Sequence, residues 1–243
     1  MQNGAEPKEK KTLPYGGKNR KDIKMKNMYM TIDTETVGGA STPTGAYNYG
    51  GVIHDKVGNI YATFSILVME HYDEIAKDDY AKKTFPLYKT RLDKGEITSV
   101  ASEEDAIQII RNLCQFYGVK YVMAYNSGFD SVKTKCRELL DEFEFIDIYL
   151  MALQTITHLK GYSKFCNQHG MYSKSGKTCS TTAEAVYAFI TNDQGYKEEH
   201  TALSDAMIEM EIFKRCAKMK KRYTKNTHMW DCMERNKCFP KRK

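Results

Sequence analysis

The chain has 243 residues, 41% of them hydrophobic, and a formal net charge of +6, enough apolar material for the core of one domain of ordinary to large size. No run approaches the roughly 18 apolar residues of a membrane span, and the amino-terminal "MQNGAEPKEKK" lacks the apolar core of a secretory signal. Membrane and exported classes are therefore argued against, and a soluble cytoplasmic protein is expected.

The charge is unevenly spread. Residues 1–27 carry eight Lys/Arg against three acids and residues 214–243 carry twelve against two, which leaves 17 basic and 26 acidic residues between them. Basic arms on an acidic body suit a polyanionic partner, because Lys and Arg displace counterions from phosphates; solubilising, disordered termini would carry the same charge. The seven cysteines are odd in number and scattered without a CxxC, the pattern of reduced thiols. Two looser groups, Cys166 and His169 with Cys179, and His228 and Cys232 with Cys238, lack four zinc ligands at a familiar spacing.

In chain order, residues 1–27 read as a basic, disordered tail, and "NMYMTID" from Asn27 or Met28 as a first strand. The Gly/Ser/Thr/Pro-rich "GGASTPTGA" is a loop. "YNYGGVIHD" and "NIYATFSILVME" are two more strands joined by "KVGN", so an antiparallel meander is predicted. Residues 71–99, charged and broken by Pro86 and Gly95, read as a surface insertion with one or two short helices.

Ser102 caps a predicted helix with Asp105 at the capping-box position, and Ile107, Ile110, Leu113, Cys114 and Tyr117 form its apolar stripe. Strand "KYVMAYN", helix "DSVKTKCRELLDE" and strand "FEFIDIY" follow, the alternation of an α/β unit. Short helices are expected near 150–168. Thr181 with Glu184 caps "TAEAVYAFITN", and the final helix, about 201–219, has Leu203, Ala206, Met207, Met210 and Phe213 on one face, a core stripe. The predicted fold is α/β: a mixed sheet of three antiparallel strands followed by parallel ones, flanked by helices. The domain spans 28–218, and 219–243 is a basic carboxyl-terminal tail.

Three acidic features carry chemistry. In "TIDTET", Asp33 and Glu35 are two apart on a strand and present both carboxylates to one side. Like charges that close, beside Ile32, repel and resist desolvation unless a cation sits between them. Mg²⁺ or Mn²⁺ suits such oxygen ligands, whereas in isolation D-x-E is equally the pattern of a solvated strand end. Asp130 follows a buried strand and the turn "NSG", at or just before the next helix, where ligand sites gather in α/β folds and where N-caps also occur. In "EEHTALSDAMIEMEIF", five helical positions turn about 500°, so His200 and Asp205 share a side only if His200 stays in the loop before a helix capped near Thr201. A fixed ligand and a movable base would then face each other.

Together, D-x-E at Asp33 and Glu35, N-x-x-F-D at Asn126 to Asp130, and H-x4-D at His200 to Asp205 resemble the three motifs of the DEDDh family, ribonuclease-H-like 3′-to-5′ exonucleases related to the proofreading subunit of bacterial DNA polymerase III. The resemblance covers roughly residues 28–217, and the final segment is also similar, more loosely, to exonuclease-like proteins of phages. A tyrosine-type relative has Tyr four residues before the last Asp; Thr201 stands there, so the histidine branch is indicated.

The resemblance implies two Mg²⁺ or Mn²⁺ ions about 4 Å apart. Asp33 would bridge them, Glu35 and Asp205 would complete one site, and Asp130 would help hold the other. His200 would be general base in releasing nucleoside 5′-monophosphates from DNA or RNA, single-stranded 3′ ends being the expected substrate. It further implies substrate contacts at Thr34, Thr36 and Asn126 and a supporting role for Asp147. An endonuclease or strand-transfer enzyme of the same fold, and a nucleic-acid-binding module without catalysis, remain as alternatives. "SKSGKTCS" lacks the first glycine of a P-loop, with Met171 in its place, and reads as a basic loop. The aromatics of "GAYNYGG" suit strand packing or base stacking.

Overall fold

The apolar run Met28–Thr36 forms the central strand β1 of the computed structural model, which describes residues 27–38, 45–79, 81–219, 222–232 and 239–240. Strands β2 (Ala46–Asp55) and β3 (Ile60–Val68) complete the expected antiparallel meander. On the other side of β1 lie β5 (Val119–Ala124) and β6 (Glu144–Asp147), both parallel. A short strand, β4 (Ser99–Ala101), pairs parallel with β3 and gives the order β4-β3-β2-β1-β5-β6. Three residues are too few for alternation to register, so β4 has no signature in the sequence.

Alternation along the strands divides the core in two. Met28, Met30 and Ile32 join Ile53, Phe64 and Val122 under α3 (Glu103–Tyr117) and α5 (Cys136–Glu142). Tyr29 points the other way with Tyr121 and Ile146, packing against α6 (Ile148–Leu153), α7 (Lys160–His169), α8 (Ala183–Thr191) and α9 (Ala202–Met219). Asp33 and Glu35 continue the side of Tyr29. The carboxylates therefore point toward α9.

Several local expectations change. The helix expected over 130–142 is two, α4 (Ser127–Lys133) and α5, separated by Thr134 in extended conformation. The Thr134 hydroxyl donates to the Asp130 carbonyl and accepts from the Cys136 amide, replacing the helical ladder with its own side chain. Asp130 thus lies inside the first turn of α4, and Asn126 is its N-cap. The cap of α8 is Thr182, which accepts from the Ala185 amide, and not Thr181. Ser102 caps α3 as expected, with a reciprocal contact to Asp105.

The segment after β3 forms α1 (Met69–Ile75) and α2 (Phe85–Asp93). It is less superficial than its charge suggests, because Ile75, Ala81 and Tyr88 are buried against Val37, Tyr47 and Leu67. Tyr47 and Tyr49 are both fully buried, so the aromatics of β2 pack in the cores.

Residues 222–232, expected within a basic tail, fold back onto the sheet edge. The Asn226 amide donates to the Phe145 carbonyl and its side-chain oxygen accepts the Phe145 amide, which occupies edge-strand groups of β6. Lys225 reaches Tyr121 and Glu144, and His228 stacks on Phe145. Residues 1–26 of the tail expected over 1–27, and Cys238, lie outside the described residues. Among the described residues, no helix is long and apolar enough to cross a membrane.

Candidate active site

Asp33 and Glu35 lie at the carboxyl end of β1, opposite Gly50 and Asn48 of β2. Gly50 decides what can cover them. A Cβ there would stand 2.0 Å from the Leu203 nitrogen and 2.2 Å from the Ala202 carbonyl carbon, so only glycine lets the first turn of α9 rest on the sheet. That turn carries Asp205, which is buried.

His200 precedes the helix with φ of 57°, a left-handed conformation uncommon outside glycine, asparagine, aspartate and histidine. The turn frees His200 from the helical spacing that would carry it away from Asp205. One ligand atom each from Glu35, His200 and Asp205 lies within 4.8 Å of the other two. The loop placement deduced from the H-x4-D spacing is the one observed.

Asp130 approaches from α4. Its Oδ1 accepts a 2.7 Å hydrogen bond from the Thr34 hydroxyl, which commits that buried side chain to orienting Asp130. Asn126 turns the chain between β5 and α4 at φ 68°, and its Oδ1 is buried without a hydrogen-bond partner. Thr36 ends β1 and is half-buried. Asp147 plays a structural part: it accepts amides from Leu150 and Met229 and the Ser127 hydroxyl, joining α6, the returning carboxyl-terminal segment and α4.

Asp33, Asn126 and Asp205 line a cleft of about 310 Å³ together with further residues absent from the sequence reading. Glu209 is one turn after Asp205 on α9, almost wholly buried, and accepts the Tyr125 amide at 3.0 Å. An acid four residues after a candidate ligand, between Ile208 and Met210, was its available signal. Glu198 enters from the loop before His200. The facing wall is Tyr125 stacked on Tyr149, each with its hydroxyl on Thr181, beside the start of α8. Nothing in the local sequence links these distant positions.

The electrostatics suit a bound cation. Burial first, then Glu209, Asp205, Glu35 and Asp130, hold the Asp33 carboxyl well above the carboxylate range. Burial and Asp205 raise Glu35 to about 8. Asp130 rises to about 7 through burial, opposed by the Thr34 hydrogen bond. Asp205 and Glu198 each rise to about 7, again chiefly by burial, and Glu209 is also driven up. Six carboxyls that resist ionisation unless a cation joins them are a hard-oxygen donor set that fits divalent ions.

A pH dependence follows from the direction of these shifts. A carboxyl raised on folding holds its proton more tightly in the native state, so metal-free stability falls as pH rises from about 4 to about 8. Thermal unfolding in EDTA is expected to show Tm decreasing across that window. Added Mg²⁺ should raise Tm more at pH 8 than at pH 5.5, because protons must leave before the ion binds.

A six-stranded mixed sheet with acids at its carboxyl edge is a ribonuclease-H-like arrangement, and the fold is the one found in the DEDDh exonucleases. The nuclease domain of 3′hExo, a DEDDh family member solved bound to rAMP, superposes with a TM-score of 0.52; it is 15% identical, and the match covers 85% of this chain and 99% of that one. A 3′-exonuclease solved in 3′-end specific recognition of a histone mRNA stem-loop gives a TM-score of 0.50 at 15% identity, covering 79% of this chain and 82% of that one. No protein-family model and no curated protein matches the chain.

Proposed function

We propose that the protein is a metal-dependent 3′-to-5′ exonuclease of the DEDDh type, releasing nucleoside 5′-monophosphates from single-stranded 3′ ends. The observation that carries this reading is the convergence of five residues from four separate elements: one ligand atom each of Glu35, His200 and Asp205 lies within 4.8 Å of the other two, and the charges of Glu35, Asp130 and Asp205 act on Asp33, which lines the cleft with Asp205. The structurally similar nuclease domain of 3′hExo binds rAMP, a nucleoside monophosphate of the class proposed here as product.

Asp33, Glu35, Asp205 and Asp130 would hold two Mg²⁺ or Mn²⁺ ions. Bound there, the ions supply charge neutralisation at the phosphodiester and ease deprotonation of water. His200, in the loop before α9, would take the proton of the attacking water at a ring nitrogen. Thr34 keeps Asp130 oriented. The buried Asn126 Oδ1 is an acceptor for a hydroxyl or amino donor of the terminal nucleotide, and Thr36 borders the same end of β1.

The test is hydrolysis of a 5′-labelled single-stranded oligonucleotide with Mg²⁺ or Mn²⁺. A ladder of products from the 3′ end is expected, abolished by EDTA and reduced by about a hundredfold or more in His200→Ala, with a circular single strand left intact. Cleavage of the circle would establish an endonuclease. Equal activity in wild type and variant would remove His200 from the reaction.

A further inference from the structure

Beside the site lies an arginine, close enough to act on the charge of Asp205, that neither the motifs nor the metal ligands account for. Helix α2 presents Tyr88 and Arg91, one turn apart, to the start of α9 and the loop before it. Tyr88 is buried; its hydroxyl donates to Asn48 Oδ1 at 3.0 Å and accepts the Ala202 amide at 3.4 Å. This contact fixes α2 against the first residue of the helix that carries Asp205. Arg91 then reaches the loop, where Nη2 donates to Glu199 Oε2 at 2.5 Å. Glu199 is the residue immediately before His200.

The pairing leaves most of the guanidinium unused. The Arg91 side chain is 19% exposed and that of Glu199 56% exposed, and among the described residues one of the five N–H donors of Arg91 is engaged. The same guanidinium lies near enough to Asp205 to oppose the upward shift of its carboxyl. A pair with one half-exposed partner contributes little to stability, whereas the planar fork of arginine is shaped for phosphate oxygens.

We propose that Arg91 is a substrate-phosphate residue, held by Glu199 in the free protein and transferred to a phosphodiester of the bound strand when nucleic acid enters. The exchange replaces one carboxylate partner by one phosphate and needs no new charge. It also loosens the residue adjoining His200 only when substrate is present, coupling strand binding to the movement of that loop. This inference rests on the exonuclease reading for its substrate class.

The experiment measures binding apart from cleavage, by fluorescence anisotropy of a 5′-fluorescein single-stranded oligonucleotide with Ca²⁺ in place of Mg²⁺, over a range of KCl. Wild type, Arg91→Ala, Arg91→Lys, Glu199→Gln and the Arg91→Ala/Glu199→Gln double variant are compared, each with its Tm. Arg91→Ala is expected to weaken binding about tenfold and to reduce the slope of log K against log salt by about 0.7, the loss of one phosphate contact on a single strand. Arg91→Lys should restore the slope but only part of the affinity, because it keeps the charge without the fork. Glu199→Gln should tighten binding about threefold, and this gain should vanish in the double variant.

If Arg91→Ala leaves the slope unchanged, or if Arg91→Ala and Glu199→Gln weaken binding equally with equal falls in Tm, the pair is a structural latch and the inference fails, while Mg²⁺-dependent cleavage by wild type would leave the exonuclease reading standing. Conversely, an Arg91-dependent slope in a protein that cleaves no 3′ end would sustain the phosphate contact and overturn the exonuclease.

Discussion

Asp33→Asn is expected to reduce metal-dependent hydrolysis by at least about a thousandfold and at the same time to make the metal-free protein more stable. Both effects have one cause. Asp33 is pressed by Glu209, Asp205, Glu35 and Asp130 in a buried setting, and its ionised form is opposed by all of them. With cations present, that repulsion becomes binding energy; without them it is a standing destabilisation of the fold. The amide retains the shape and removes the charge, so the gain should be about 1–2 kcal/mol at pH 8, or roughly 2–8 °C in Tm for a chain of this size. Tm in EDTA and in Mg²⁺, measured with the cleavage rate, checks the claim. A variant that loses activity and also loses Tm in EDTA would mean that Asp33 is a structural carboxyl.

Gly50→Ala is expected to damage both stability and activity although Gly50 offers no chemistry. Its added methyl would meet the backbone of Ala202 and Leu203, which cannot rotate aside as a side chain could. The first turn of α9 must lift from β2, and Asp205 moves with it, away from Asp33 on the partner position of the β1–β2 ladder. Overpacking of this kind costs about 1–3 kcal/mol, and displacement of a reacting group by about 1 Å can cost a hundredfold in rate. Circular dichroism, Tm and the cleavage assay measure these losses. Gly161→Ala is the control: it lies within α7, with Phe189 atoms at 3.7 Å as its nearest neighbours, and should be neutral or stabilising by up to about 1 kcal/mol. Wild-type activity and Tm in Gly50→Ala would show that α9 approaches β2 less closely than this geometry requires.

The sequence and the structure determined different parts of this protein. Strand period, helix stripes and caps made the meander, the α/β unit and the terminal helix legible, because alternation and the 3.6-residue repeat are imposed locally by the side that must be buried. The same local rules put Asp33 beside Glu35 and required His200 to leave the helix if it was to face Asp205. They could not see β4, which is three residues long, or the break at Thr134, which depends on where its hydroxyl finds partners.

Only the tertiary structure joined Glu209, Glu198, the Tyr125–Tyr149 wall and Arg91 to the motif residues. Of these, Glu209 lies one helical turn after Asp205, Glu198 two residues before His200 and Tyr125 next to Asn126; Tyr149 and Arg91 lie on other elements whose approach is set by packing. Gly50 shows the distinction most directly. In the sequence it was one glycine of a pair inside a strand; in the fold it is the contact that lets α9 reach β1. Carboxylates can be read from a sequence because their chemistry resides in the side chain, but the distance between them is a property of the backbones that bring them together.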